Sequence, residues 1–471
     1  MKFWGVENTW VGWRFGVLIP LIISLMFFNY VMPLGVLMIG LLIVVLFFFG
    51  LNYFTSEWIN LSYESVEIKI FAFGFLIRFV FLLYLYVLTY WLDIESFPFE
   101  IGAADSWVYH SVSLKLADAS FGEWMNVLNA NMKSRSDFGY PLFQALVYSI
   151  FGPHTLIVRI LNAAVGSLTA VLMGRIVRLS WGEAHAKMTA VIAMLFPTLI
   201  WFCGIQLKET LMVFLVVTSF YLIWNARAKN NWSVWSILLA FLICFYLFFF
   251  RTFLAVLVFI SIMMIFIPIQ SKGKSRKFLW IAVLFGMYIF YSLVISAGFF
   301  NDIERQVSDS EDFFSRNLES EKSMLGNVKF DQVALAPVIV TGAVITPFPS
   351  YLNTEERQLA IYTRFQNDLV RNMMYFFFYI GFYFVVRNRF REYISIIFFT
   401  IAYLAVITSA ANSFQARFHM PIIPFIIMFI GVGIVEVKDK VNRAWSIYLV
   451  GIFIAQLMWA YFKLNIRGIN G

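Results

Sequence analysis

Two adjoining stretches decide how this chain is read: IKIFAFGFLIRFVFLLYLYVLTYWL at 68–92, and AADSWVYHSVSLKLAD at 103–118. About 20 consecutive apolar residues suffice for a helix to cross the hydrocarbon of a bilayer. The first stretch exceeds that length with only Lys69 and Arg78 as charges. The second breaks the pattern: Asp105 opens a segment that carries Trp, Tyr, His and Ser at close spacing. Asp105 has two readings there. It is placed to be a helix N-cap, accepting backbone N–H bonds at a membrane surface, or to be a chemically active carboxylate.

Apolar runs of this kind recur along the chain. The sequence has 471 residues, 61% hydrophobic and 13% charged, with 55 Phe and a mean hydropathy of +0.80. A soluble domain holds about 25% charged residues. The expected fold is an all-α polytopic membrane protein of about 13 transmembrane helices. Spans are expected at 14–31, 33–50, 68–92, 155–178, 183–204, 206–226, 232–250, 252–268, 278–300, 369–387, 391–411, 414–436 and 441–462. Apolar stretches at 141–152 and 333–348 are too short to span and read as re-entrant or interfacial. No small-residue cleavage site comes after the first run, so a cleaved leader is not expected.

The net charge of +8 does not point to nucleic acid, because the basic residues sit in short loops between spans. With the N-terminus placed in the cytoplasm, the loops 175–187, 226–229, 271–277, 387–391 and 438–443 each bring two to four Lys or Arg to the cytoplasmic side. The short loops opposite hold little beyond Lys208, Arg251 and Arg417, as the positive-inside rule predicts. Two long polar, acid-bearing segments, 93–140 and 301–368, then fall outside. The domain reading is an N-terminal two-helix extension (1–66), a core (67–300) containing the first outer loop, a second outer loop (301–368) and a C-terminal bundle (369–471).

The candidate site gathers ionisable residues at the outer ends of spans, where charge is costly unless used or solvated. Asp105, Tyr109 and His110 come from the first loop, Tyr140 from the Gly-Tyr-Pro turn after it. Lys208 and Glu209 lie in GIQLKETL, Arg251 in FYLFFFRTFLAV, and Gln415, Arg417 and His419 in SFQARFHMPIIP. Guanidinium groups bind phosphate oxygens bidentately, so Lys208, Arg251, Arg417 and His419 are read as ligands of a phosphate headgroup. Tyr109, His110, Glu209, Tyr140 and Gln415 are read as substrate-binding. Simpler roles exist for each: Lys208 and Glu209 as a surface ion pair, Arg251 snorkelling to headgroups, His419 as a structural hydrogen-bonder. Helical phase puts Asp105 and Tyr109 on one face and turns His110 about 140° from Asp105, which ranks His110 lower. Arg78, in the middle of a span, calls for a partner on another helix. No Gly-rich phosphate loop occurs, and no metal-ligand spacing is recognisable.

ADSWVYHSVSLKLAD resembles the Asp-x-x-x-Tyr first-loop motif of GT-C membrane glycosyltransferases. More narrowly, it is similar to the family of dolichyl-phosphate-mannose protein mannosyltransferases and aminoarabinose transferases. GYPLFQALVYSIFGPHTLIVRILNAAVGSLTAVLMGRIVRL resembles the next segment of that family: a Gly-Tyr-Pro turn, a short helix, a Phe-Gly-Pro break, then Arg-x-x-Asn. LKETLMVFLVVTSFYL and ARFHMPIIPFIIMFIGVGI stand in the expected order. The resemblance covers 68–270 well and 390–436 more loosely. It implies a GT-C-like architecture and a polyprenyl-phosphate-linked sugar donor used on the extracytoplasmic face. The acceptor is then a hydroxyl on a glycan, lipid or protein, and the protein an integral one of the bacterial inner membrane. The first-loop acid, here Asp105, is implied as the base or acceptor-orienting group of an inverting transfer. Many relatives carry a second acid directly after the first; here Ser106 stands in its place. No cofactor is expected, and a divalent cation is the one addition allowed for. The competing readings are a polysaccharide polymerase or O-antigen-ligase-like enzyme with a pyrophosphate-linked donor, and a lipid or solute transporter.

Overall fold

A computed structural model describes residues 4–229, 233–266, 347–349, 351–352, 364–409, 415–437 and 441–467. The chain is an all-α polytopic membrane protein. Among the described residues the only pairing of extended backbone is an isolated antiparallel bridge between Val31 and Leu352. Helices α1 (Val6–Met26), α2 (Leu34–Glu57) and α3 (Tyr63–Leu92) are followed by three short helices of the first loop, α4 (Asp105–Asp118), α5 (Trp124–Asn131) and α6 (Gly139–Phe151). The bundle continues with α7 (Thr155–Trp181), α8 (Glu183–Leu195), α9 (Pro197–Cys203), α10 (Glu209–Ala228), α11 (Val234–Leu247) and α12 (Thr252–Phe266). It resumes with α13 (Phe365–Ser409), α14 (Ala416–His419), α15 (Ile423–Glu436) and α16 (Val441–Arg467).

Every expected span holds helix except 278–300, which lies outside the described residues with the segment 301–346. Among the described residues, seven helices are long and apolar enough to cross a membrane, eight if the bent pair α8–α9 counts as one. One expectation is corrected. A basic loop is expected between the runs 369–387 and 391–411, yet α13 passes through it, leaving helical geometry only at Arg389 (φ −140°, ψ 29°). RNRFRE contains neither Gly nor Pro to stop a helix, so the polar turn becomes a kink. Arg389 pairs there with Glu392 at 2.9 Å and lies 5.1 Å from the centre of the Trp181 ring.

Close packing in the bundle rests on small residues, as expected where lipid gives helices no hydrophobic reason to associate. Helices α13 and α15 cross at backbone contact. A Cβ on Gly381 would stand 1.8 Å from the Phe429 carbonyl oxygen, and one on Gly433 would stand 2.1 Å from that of Phe377. Gly182, at φ +87°, turns the chain from α7 directly into α8. Ion pairs tie the helix ends on the face expected to be cytoplasmic. Arg175 binds Glu67 through two bonds of 2.8 and 2.9 Å, Arg178 bridges Glu64 and Glu183, and His185 meets Glu436 at 2.9 Å.

At the opposite end the first loop builds its own small core. Val112 and Leu116, one helical turn apart on α4, pack with Trp124, Leu128, Phe138 and Ala145. Each large apolar side chain buried there contributes roughly 1.5–3 kcal/mol. The Ser113 hydroxyl ties α4 to α6, lying 2.9 Å from the Gln144 Oε1 and 3.2 Å from the Pro141 carbonyl. The apolar stretch 141–152 is thus α6, lying under α4. This platform fixes the phase of α4, and with it the direction in which Asp105 faces.

Candidate functional site

Asp105 is the first residue of α4; the cap position is Ala104, and no side chain caps the helix. The N-cap reading is therefore corrected. The Asp105 carboxylate instead accepts a hydrogen bond from the Arg417 Nη1 at 2.8 Å, with the two side chains 50% and 42% exposed. Solvent reaches both groups, so the pair is a contact that a ligand can enter and exchange.

Arg417 stands on α14, and the next residue, Phe418, has two guanidinium groups near its ring. The Arg417 Cζ lies 5.2 Å and the Arg251 Cζ 4.5 Å from the ring centre. Both distances suit cation–π attraction, which holds two like charges near one another without direct contact. Arg251, just ahead of α12, donates to the Tyr403 hydroxyl at 3.1 Å and to the Glu209 Oε1 at 3.3 Å. Tyr403 in turn donates to the Phe418 carbonyl at 3.0 Å. Glu209 is buried, and its Oε2 has no hydrogen-bond partner. Arg251 therefore points inward and is not a headgroup-seeking residue.

Tyr109, one turn after Asp105, is buried with its ring 5.6 Å from that of Tyr140. Burial raises its phenol far above the ordinary value; the carboxylates of Asp137, Glu209 and Asp105 add to this, and Arg417 opposes it. A phenol so surrounded remains protonated and keeps its O–H for donation to a ligand.

Other predicted residues are engaged structurally. Lys208 donates to the Asp137 carboxylate, to the Phe250 carbonyl at 2.9 Å and to the Ser136 carbonyl at 3.4 Å. Its three N–H groups are spent joining the first loop to the turn before α12. The expected Lys208–Glu209 pair is thus replaced by Lys208–Asp137 and Arg251–Glu209. His110 faces away from Asp105, as the helical phase predicts. Its Nδ1 lies 2.8 Å from the Tyr148 hydroxyl, which also accepts from the Gln206 Nε2 at 2.9 Å. Tyr148 thus links His110 on α4 to Gln206 in the turn before α10. Burial lowers the His110 pKa. Tyr140 is buried, and its hydroxyl accepts from the Asn162 Nδ2 at 3.1 Å. His419 is buried, and Gln415 occupies the cap position of α14 without a capping bond.

Several residues that sequence reasoning passed over hold the site together. Glu100 accepts from the Ser106 hydroxyl and from the Gln206 backbone N–H at 3.3 Å, while Ser106 also reaches the Gln206 carbonyl at 3.2 Å. Arg-x-x-Asn now has a mechanical meaning. Arg159 and Asn162 share a face of α7, Arg159 donating to the Pro98 carbonyl at 2.7 Å and Asn162 to the Ile205 carbonyl at 3.3 Å. One helix face thereby binds both chain segments that frame the site. Arg364 stands immediately ahead of α13, and burial lowers its pKa, with Asp368 opposing and Arg417 adding to that shift. Its signal was its place at a helix start, hidden within a long polar segment. Asp105 faces a guanidinium and not a second carboxylate. Among the described residues no group of three or more His, Cys, Asp or Glu could hold a metal ion.

No family model matches the chain, and no curated protein matches it. Among solved structures it is similar to the Archaeoglobus fulgidus oligosaccharyltransferase in the apo form, at 12% identity and a TM-score of 0.46. The match covers 88% of this chain and 57% of that one, so the chain spans little more than half the length of that protein.

Proposed function

We propose that the protein is an integral-membrane glycosyltransferase that moves a sugar from a polyprenyl-phosphate-linked donor to an acceptor hydroxyl on the extracytoplasmic face. The donor phosphate binds Arg417 and Arg251, and Asp105 is the base or acceptor-orienting group. The observation that carries this reading is the half-exposed Asp105–Arg417 contact, beside the Arg251–Glu209 pair and the Tyr109 phenol. A carboxylate, phosphate-binding cations and a neutral donor are the groups such a transfer needs.

The chemistry is a single displacement. The acceptor oxygen bonds to the anomeric carbon as the bond from that carbon to the phosphate oxygen breaks. The hydroxyl proton passes to Asp105, and the charge growing on the phosphate is met by guanidinium groups already in position. Direct attack inverts the anomeric carbon. In the resting site an Asp105 carboxylate oxygen is taken by Arg417 and is not open to an acceptor hydroxyl. A donor phosphate entering beside Arg417 draws the guanidinium to itself and frees Asp105 when a sugar is present to react. Lys208 then acts by holding the 136–137 segment and the turn before α12, and Glu209 by orienting Arg251.

The test is incubation of purified protein with radiolabelled polyprenyl-phosphate sugars and membrane extract, wild type beside Asp105→Asn. The reading predicts label transfer that the substitution abolishes while the protein stays folded. A polymerase- or ligase-like enzyme would use pyrophosphate-linked donors in the same assay. One observation favours transport: the span α8–α9 is discontinuous, bent by 50°, a feature of helices that line transport pathways. Facilitated movement of a lipid or solute without any label transfer would support that second reading.

A further inference from the structure

We infer that Arg78 is a positioning residue: it stabilises the break between α8 and α9, and the break sets the 204–209 turn against the first-loop helix. The inference rests on the proposed function only where sugar transfer is the readout.

Arg78 is fully buried in the middle of α3, where an unpartnered charge is expensive. Its hydrogen bonds among the described residues go to backbone carbonyls. The Nη1 donates to the Gly74 and Met194 carbonyls, and the Nη2 to the Ala193 carbonyl, each at 3.1 Å. Ala193 and Met194 belong to the last turn of α8. In a continuous helix the Ala193 carbonyl would accept from the N–H of residue 197, but residue 197 is proline and has none. The Met194 carbonyl loses its partner because α9 departs at 50°. A backbone carbonyl left unsatisfied in hydrocarbon costs several kcal/mol. Arg78 satisfies both, and the negative end of the α8 dipole favours its charge. Each group removes part of the penalty of the other, the carbonyls pairing Nη1 and Nη2 but not Nε.

The neighbours leave little freedom. A Cβ on Gly166 of α7 would lie 2.3 Å from the Cys203 Sγ and 3.1 Å from the Arg78 Nε, so α7 closes directly over the guanidinium and the end of α9. Beyond Cys203 the chain enters the turn whose Gln206 backbone binds Glu100 and Ser106 and whose Lys208 and Glu209 reach Asp137 and Arg251. Helix α9 is roughly 10 Å long. Straightening a 50° bend would swing its far end by about 9 Å, well beyond the reach of those contacts.

The experiment uses the full chain in detergent in four forms: wild type, Arg78→Met, Pro197→Ala and the double variant. Methionine keeps length without N–H groups, and alanine restores the missing backbone donor. Thermal unfolding is read in each. A Ser106→Cys/Gln206→Cys pair, added to a parallel set and treated with a short bifunctional thiol reagent, reports where the turn sits. Sugar transfer is read in the chains without the added cysteines. We expect Arg78→Met to lower the unfolding temperature by roughly 5 °C or more, and Pro197→Ala to recover much of that loss in the double variant. Cross-linking and sugar transfer should remain several-fold below wild type in the double variant, because a straight helix carries the turn away. Arg78→Lys should rescue partially, since an ammonium lacks the planar fork. A double variant no more stable than Arg78→Met, or one that cross-links like wild type, would overturn the inference. Wild-type protein that transfers no sugar, with the expected stability and cross-linking pattern intact, would count against the functional reading alone.

Discussion

Asp105→Asn is expected to push donor binding and turnover in opposite directions. On the proposed function, the carboxylate in the resting site competes with a donor phosphate for Arg417. The contact is 2.8 Å, but its side chains are 50% and 42% exposed, and pairs in that setting contribute at most about 1 kcal/mol. Removing the negative charge should therefore tighten donor binding by up to about five-fold. Turnover should fall by roughly 10² to 10⁴, the span typical of a lost general base. Arg417→Gln should act differently, weakening donor binding by roughly ten-fold or more through loss of a charge-assisted hydrogen bond. The assay is equilibrium binding of a labelled polyprenyl-phosphate sugar to purified protein in detergent, paired with initial-rate transfer on the same samples. Weaker donor binding by Asp105→Asn, or turnover that survives it, would refute the exchange of Arg417 from carboxylate to phosphate.

Other substitutions probe the framework. Glu209→Ala leaves Arg251 without its acid in a site where the two side chains are 3% and 16% exposed. It should destabilise the protein by roughly 3 kcal/mol, read as a lowered unfolding temperature. Gly381→Ala places a methyl group 1.8 Å from the Phe429 carbonyl oxygen; because backbone cannot yield, the cost should exceed the roughly 1–3 kcal/mol of ordinary overpacking, visible as loss of monodisperse protein. His110 makes stability pH-dependent. Its folded pKa lies below the ordinary value of 6.5 because of burial. The unfolded chain thus binds a proton that the fold refuses, and stability is lost as pH falls from about 6.5 through the folded pKa. Unfolding temperatures from about pH 7.5 to about pH 5 should decline, and His110→Gln should flatten that slope; an unchanged slope would remove His110 as its source.

Much of the fold was legible because its signals are local. Apolar length placed each described span, and the 3.6-residue repeat put Asp105 and Tyr109 on one face of α4 with His110 turned away. The same locality explains two of the misreadings. Asp105 had the sequence setting of a cap, but capping depends on where the helix begins, and α4 begins one residue early. The basic turn RNRFR looked like a loop, but the helix continued because nothing in it breaks hydrogen bonding.

Charge partners are a different matter. The sequence determined which charges stand near the ends of spans and that Arg78 sits in the middle of one, because both depend only on position along an apolar run. It did not determine that Asp105 meets Arg417, 312 residues away, that Lys208 goes to Asp137, or that Arg78 is satisfied by carbonyls instead of an acid. Those outcomes depend on how each helix is rotated against its neighbours and on the 50° break at Pro197. Rotation and break angle are set by packing between distant segments, so only the tertiary structure could decide them.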